Sequence, residues 1–249
     1  MTIAIMSAMH EENASLLSLM HVDSSVDYGG RTFHEGMLFD KPAVLVFSHW
    51  GKVAAATTAT SLITRFGVSE VLFTGVAGAI APQVSIGDVV VAENLYQHDM
   101  DARPMIAQHE IPLLKRRAIA TDSERRDRLQ CAAHDFLAND LSTALNESSL
   151  EQFSLNRPQV FVGDIASGDQ FVSDPNVSSG ILHRLPSVLC VEMEGAAVAQ
   201  VCDAFNIPFT VVRTISDGAN SSSSFDFLSF VESVATAYSQ GIVERYLAG

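Results

Sequence analysis

Short, uninterrupted apolar runs alternate along this chain with longer stretches in which apolar residues recur every three or four positions. The runs are TIAIM, AVLVFS, EVLFTG, GDVVVAE, QVFVGDIA, SVLCVEM and FTVVRTIS. Their length and β-branched content predict strands, and their lack of polar alternation predicts strands covered on both faces. The longer stretches, EENASLLSLM, KVAAATTATSLITRF, SERRDRLQCAAHDFLANDL, EGAAVAQVCDAFN and FDFLSFVESVATAYSQGIVERYLA, carry the helical spacing. Strand followed by helix, repeated along the chain, implies an α/β sheet. No internal repeat, linker or charge break divides the sequence, so residues 1–249 read as one domain, and the Ser221 to Ser224 run reads as a loop within it.

The longest apolar stretch, VLFTGVAGAIAP, falls far short of the roughly 20 residues that span a bilayer, and its glycines would break a helix. It is expected to be a core strand and turn, with no membrane partner. The start, MTIAIMSAMHEEN, lacks a basic region and soon meets His10, Glu11 and Glu12, unlike a secretion signal. A cytoplasmic protein is the expectation.

Charge excludes one class of partner. Twenty-nine acidic residues against 15 Lys plus Arg give a formal net charge of -14, the wrong sign for neutralising phosphates along nucleic acid. Cys131, Cys190 and Cys202 lie in apolar surroundings without metal-ligand spacing, which predicts buried, reduced thiols.

In an open α/β fold, ligands bind where strand ends meet at one crevice. Polar residues at strand exits are therefore the candidates for chemistry: Glu11 and Glu12 after the first run, TGVAG after EVLF, Glu192 and Glu194 in VEMEG, and Arg213 with Ser216 and Asp217 after FTVV. Any one acid there could simply favour a helix N-terminus. Several converging on one crevice could surround a small molecule.

These segments carry a resemblance. AIMSAMHEE, SHWGKVAAA, TGVAGAIAPQVSIGDVVVAE, SGDQFVSD, VEMEGAAVAQVC, IPFTVVRTISD and SFDFL resemble, in order and spacing, the blocks of 5′-methylthioadenosine/S-adenosylhomocysteine nucleosidases. EMEGAA and TISD are similar to the wider nucleoside phosphorylase superfamily; AMHEE and SGDQFV point to the nucleosidase branch. The resemblance implies a single α/β domain with a central mixed β-sheet flanked by helices. It also implies hydrolysis of the N-glycosidic bond of an adenine nucleoside thioether, a role in methionine salvage, a homodimer, and neither cofactor nor metal.

Site residues follow from the same resemblance. It implies that Glu12 activates water and that Asp217, helped by Ser216, protonates the adenine so that it departs neutral; Asp217 must then carry its proton at neutral pH. Glu194 would hold the ribose hydroxyls, while Glu192 orients this shell or caps the following helix. Phe171 would stack on adenine and the Val172 backbone would read its edge. Met193 would pack on the ribose, with Gly78 letting backbone approach the ligand. Met9, Trp50 and Phe225 would line the ribose and thioether side, and Arg213 would hold the water or Glu12 or form a buried ion pair.

One difference from the phosphorylases supports this reading, and two departures from the nucleosidases qualify it. Phe73 stands where related phosphorylases carry an arginine for phosphate, which favours water as nucleophile. Val76 stands where relatives often have serine, and His49-Trp50 where they often read Gly-Ile. His98, Asp99 and Asp101, in the segment 96–105, could suggest a metal site, but the implied chemistry needs none. Other readings of the same fold are a phosphorylase, a hydrolase of a nucleoside such as futalosine, or a non-catalytic nucleoside binder.

Overall fold

The computed structural model describes residues 1–220 and 223–249, with side chains for all of these except 224–226. Its centre is one sheet of eleven strands: β1 (Ile3–Ser7), β2 (His21–Tyr28), β3 (Arg31–Leu38), β4 (Lys41–Phe47), β5 (Glu70–Thr74), β6 (Val76–Ala79), β7 (Val89–Gln97), β8 (Ala118–Ala120), β9 (Val160–Ser167), β10 (Val188–Glu192) and β11 (Phe209–Asp217). Helices α1 (His10–Leu19), α2 (Lys52–Phe66), α3 (Ser123–Asn139), α4 (Leu141–Ala144), α5 (Glu147–Gln152), α6 (Pro175–Arg184), α7 (Gly195–Phe205), α8 (Ser223–Phe230) and α9 (Thr236–Ala248) complete it, with a π-helical turn at Val231–Ala235 between the last two.

The sheet is mixed. β1 runs parallel to both β4 and β5, and β5 is parallel to β11. β11 also pairs with β6 in parallel and with β7 antiparallel. Since β6 pairs with β10, β10 with β9, and β9 with β7, these five strands close on themselves as a small barrel. β11 is the shared seam, and all nine of its residues are buried. Its register shifts between Ile215 and Asp217, next to its polar end. A local irregularity of this kind re-aims side chains at a sheet's edge.

All seven expected strands are present, and so are the five expected helices. The last expected helix is divided by the π-helical turn, and Ser223 and Ser224, expected in a loop, belong to α8; residues 221 and 222 lie outside those described. The hairpin β2–β3 has no counterpart among the apolar runs because HVDSSVDY is almost wholly exposed. Its signal was the turn: Gly29 and Gly30 both have positive φ, as a two-residue hairpin loop demands. α6 was announced by Asp174-Pro175, the Asp side chain capping and Pro at the first helical position.

One expectation about thiols is corrected. Cys190 and Cys202 are buried, but Cys131 is exposed. On α3 the core-facing stripe is Leu129, Ala132, Ala133 and Phe136, and helical geometry turns residue 131 away from it. Among the described residues, no helix is long and apolar enough to cross a membrane.

Candidate active site

The carboxyl ends of β1, β9, β10 and β11 open on one cavity of about 280 Å³. Ala8 and Met9 follow β1 on its wall; Val76, Ala77 and Gly78 come from β6; Gln170, Phe171 and Val172 follow β9. Glu192, Met193 and Glu194 come from the end of β10, Ser216 and Asp217 from β11, and Trp50 and Phe227 complete the rim. Parallel strands deliver their C-terminal ends to one side of a sheet, which is why residues so distant in sequence share this wall.

Of the residues expected in a site, Met9, Trp50, Gly78, Phe171, Val172, Met193, Glu194, Ser216 and Asp217 line the cavity. Two others do not. Glu12 lies behind the wall, linked to Met9 through Ser7, whose Oγ is 3.0 Å from Glu12 Oε2 and 2.8 Å from the carbonyl of Met9. Arg213 is fully buried, and its guanidinium binds Glu192 instead of Glu12. The side chain of Phe225 lies outside the described residues; Phe227, which the motif comparison did not single out, is on the wall. Ala8, Ala77, Gln170 and Val191 were also missed, being apolar or amide side chains without a distinctive pattern.

The acids differ in their surroundings. Asp217 is 3% exposed; its Oδ2 accepts from Ser216 Oγ at 2.9 Å and its Oδ1 from the Ala219 amide at 2.8 Å. A Cβ at position 78 would sit 2.9 Å from that Oδ1, so glycine there makes room for the carboxylate. Glu194 accepts from the Gly51 amide at 2.7 Å, and burial, followed by the neighbouring Glu192, pushes its carboxyl pKa up. Burial likewise raises Glu12 to about 7, with the Ser7 hydroxyl and Arg213 partly opposing the shift.

Glu192 sits at the start of α7, as the capping alternative expects. It accepts from the backbone amides of Glu194 and Gly195 at the start of α7, and from Arg213 Nη2 at 2.7 Å and Nε at 3.2 Å. Ser167 Oγ also donates to it. The same guanidinium lies 4.2 Å above the centre of the Phe73 ring. Phe73 thus supports the back of Arg213.

The rim is aromatic and open. Trp50 is 63% exposed, with its indole N–H donating to the Ala8 carbonyl at 3.0 Å. Phe171 is 43% exposed and meets Phe227 edge to face, ring centres 5.6 Å apart, which removes it from the ordinary core. Asp99 and Asp101 are paired with Lys52 and Arg103, while His98 is buried against Gly168.

Comparison with known proteins identifies the family. Residues 2–248 match the family model of the phosphorylase superfamily. The chain is similar to an aminodeoxyfutalosine nucleosidase from Helicobacter pylori, 36% identical over 94% of this chain and 92% of that one. It is similar to a 5′-methylthioadenosine/S-adenosylhomocysteine nucleosidase from Bacillus pumilus, 34% identical over 94% of each. The nucleosidase of that second name from Neisseria meningitidis, solved in complex with methylthio-immucillin-A, superimposes with a TM-score of 0.86 at 30% identity, covering 99% of this chain and 98% of the other.

Proposed function

We propose, from the premise that this chain belongs to the phosphorylase superfamily and is one of its nucleosidases, that it hydrolyses the N-glycosidic bond of 5′-methylthioadenosine and S-adenosylhomocysteine. The products are adenine and the 5-thio-substituted ribose. The observation that carries the reading is the gathering of three buried carboxyl groups, Glu12, Glu194 and Asp217, from three strand ends at or directly behind one cavity.

Each group has a task in this reading. Asp217, oriented by Ser216, gives a proton to N7 of adenine, so the base leaves neutral while positive charge grows on the sugar. Glu194 accepts hydrogen bonds from the ribose hydroxyls and balances that charge. Glu12 takes a proton from the water that adds to the anomeric carbon, and its pKa of about 7 suits a general base near neutral pH. Phe171 stacks on the base, Val172 offers backbone groups to its edge, and Met193 and Met9 pack on the ribose, with Gly78 close beneath. Trp50 serves the thioether side. Arg213 acts through Glu192 and through its field on Glu12.

Water, not phosphate, is the nucleophile. Among the described residues no lysine or arginine lines the cavity. A phosphate dianion calls for such donors or for a cluster of backbone amides. Adenine release that is unchanged by added phosphate tests this directly; strict phosphate dependence would make the protein a phosphorylase, and binding without release would make it a nucleoside carrier.

A second substrate reading has a specific support, the likeness to the aminodeoxyfutalosine nucleosidase. Product analysis with each candidate nucleoside separates the readings. We include in the proposal a cytoplasmic homodimer working in methionine salvage. The aromatic side chains exposed at the cavity rim, Trp50 and Phe171, support a partner surface.

A further inference from the structure

Ser7 is the last residue of β1, fully buried, and held between two parallel neighbours, opposite Phe47 of β4 and Thr74 of β5. Its hydroxyl sits among three polar groups. It is 3.0 Å from Glu12 Oε2, 2.8 Å from the Met9 carbonyl, and it accepts from the Met9 amide at 3.2 Å. A serine hydroxyl has one proton to donate, yet two acceptors lie within reach. Which acceptor receives it depends on whether Glu12 is charged.

Resting on the reading of Glu12 as the base, we propose that Ser7 is a positioning residue that keeps the Glu12 carboxyl in one orientation throughout its proton cycle. With Glu12 ionised, the Ser7 hydroxyl donates to Oε2, a charge-assisted bond. When Glu12 takes a proton from water and holds it on Oε2, that new O–H donates to Ser7 Oγ, and the serine proton turns to the Met9 carbonyl. No proton is gained or lost by Ser7; the water's other half, hydroxide, adds to the sugar carbon. Both states are fully hydrogen-bonded, so neither requires the buried carboxyl to swing away. Without this arrangement a buried acid would lose its partner in one of the two states.

The surroundings make Ser7 the nearest neutral control on Glu12. β1 brings no titratable side chain of its own. The charges whose fields reach Glu12 are Arg213 of β11, which favours the ionised form, and Glu11 on its own helix, which opposes it; the Met9 amide also favours ionisation. Removing the Ser7 hydroxyl therefore leaves burial with less opposition, and ionisation of Glu12 moves to higher pH.

The experiment is a ¹³C NMR titration of protein labelled at glutamate side-chain carboxyls, with Glu12→Gln identifying the resonance, beside kcat/KM against pH. For Ser7→Ala the Glu12 midpoint is expected to rise by about one pH unit, the scale of a lost bond to a charged group. The acidic limb of kcat/KM follows it, KM at pH 9 is unchanged, and Ser7→Thr restores both profiles. If Ser7→Ala does not fold, Ser7→Cys, a weaker donor of similar shape, is expected to shift the midpoint in the same direction. An unmoved Glu12 midpoint in whichever variant folds overturns the proposal. Failure of the functional reading is distinguishable: in that case Glu12→Gln itself keeps its turnover.

Discussion

Arg213 Nη2 lies 2.7 Å from Glu192 Oε2, with the two side chains 0% and 2% exposed. Removing one member of a buried pair strands the other charge, typically at a cost of about 3–5 kcal/mol. Arg213→Met is therefore expected to lose about that much in urea unfolding. Glu192 would also be left at the start of α7, where the backbone amides of Glu194 and Gly195 still hold it, so the loss should lie toward the lower end of the range. A loss below about 1 kcal/mol would show that the pair does not secure this wall.

Glu12→Gln is expected to abolish hydrolysis while the protein stays folded, because the base is needed for the water and not for packing. Its effect on stability has a definite sign. Burial raises the Glu12 pKa from 4.5 to about 7, so between these values the unfolded chain is ionised while the folded one still holds its proton. Stability contributed by this group thus falls as pH rises through that window and stays low above it. The glutamine variant should match the wild type near pH 4 and exceed it at pH 8, by on the order of 3 kcal/mol at most. Chemical denaturation at the two pH values measures the difference; a variant less stable than wild type at pH 8 would assign Glu12 a structural role.

Asp217→Asn retains the shape and the acceptor oxygen that meets the Ala219 amide but cannot supply a proton. Nucleoside binding is expected to remain largely intact, with turnover lower by at least about 100-fold, the usual scale for a general acid. Single-turnover rates and equilibrium binding of the substrate separate the two effects. Near-normal turnover would remove Asp217 from the chemistry.

Trp50 lines the cavity and is anchored through its indole N–H to the Ala8 carbonyl. A large flat ring at this edge should favour the short methylthio group over the long charged homocysteine tail. A steric difference of this kind is worth about 1–3 kcal/mol, or roughly 10–200-fold in specificity. Measuring kcat/KM for both nucleosides in the wild type and in Trp50→Ile decides the matter, since an unchanged ratio would put the indole outside the thioether pocket.

Much of the architecture was readable because burial on both faces leaves a plain mark. β1, β5, β10 and β11 are apolar runs that can only be satisfied inside a sheet, and α2, α3 and α7 carry their core-facing stripes openly. The hairpin β2–β3 left no such mark, since a solvated edge imposes no hydrophobic pattern and only its Gly-Gly turn betrays it.

The local sequence around VEMEG, TISD and SGDQFV determined which residues stand at strand ends and hence could meet a ligand. It could not determine partners. Whether Arg213 turns to Glu12 or to Glu192, whether Glu12 faces the cavity or lies behind Met9, and whether Phe171 is core or rim are all decided by the closure of β11 against β5, β6 and β7. The physical reason is one of range: strand and helix formation answer to neighbours a few positions apart, whereas the ionisation and aim of a buried polar group depend on the charges and donors that distant segments bring within hydrogen-bonding distance.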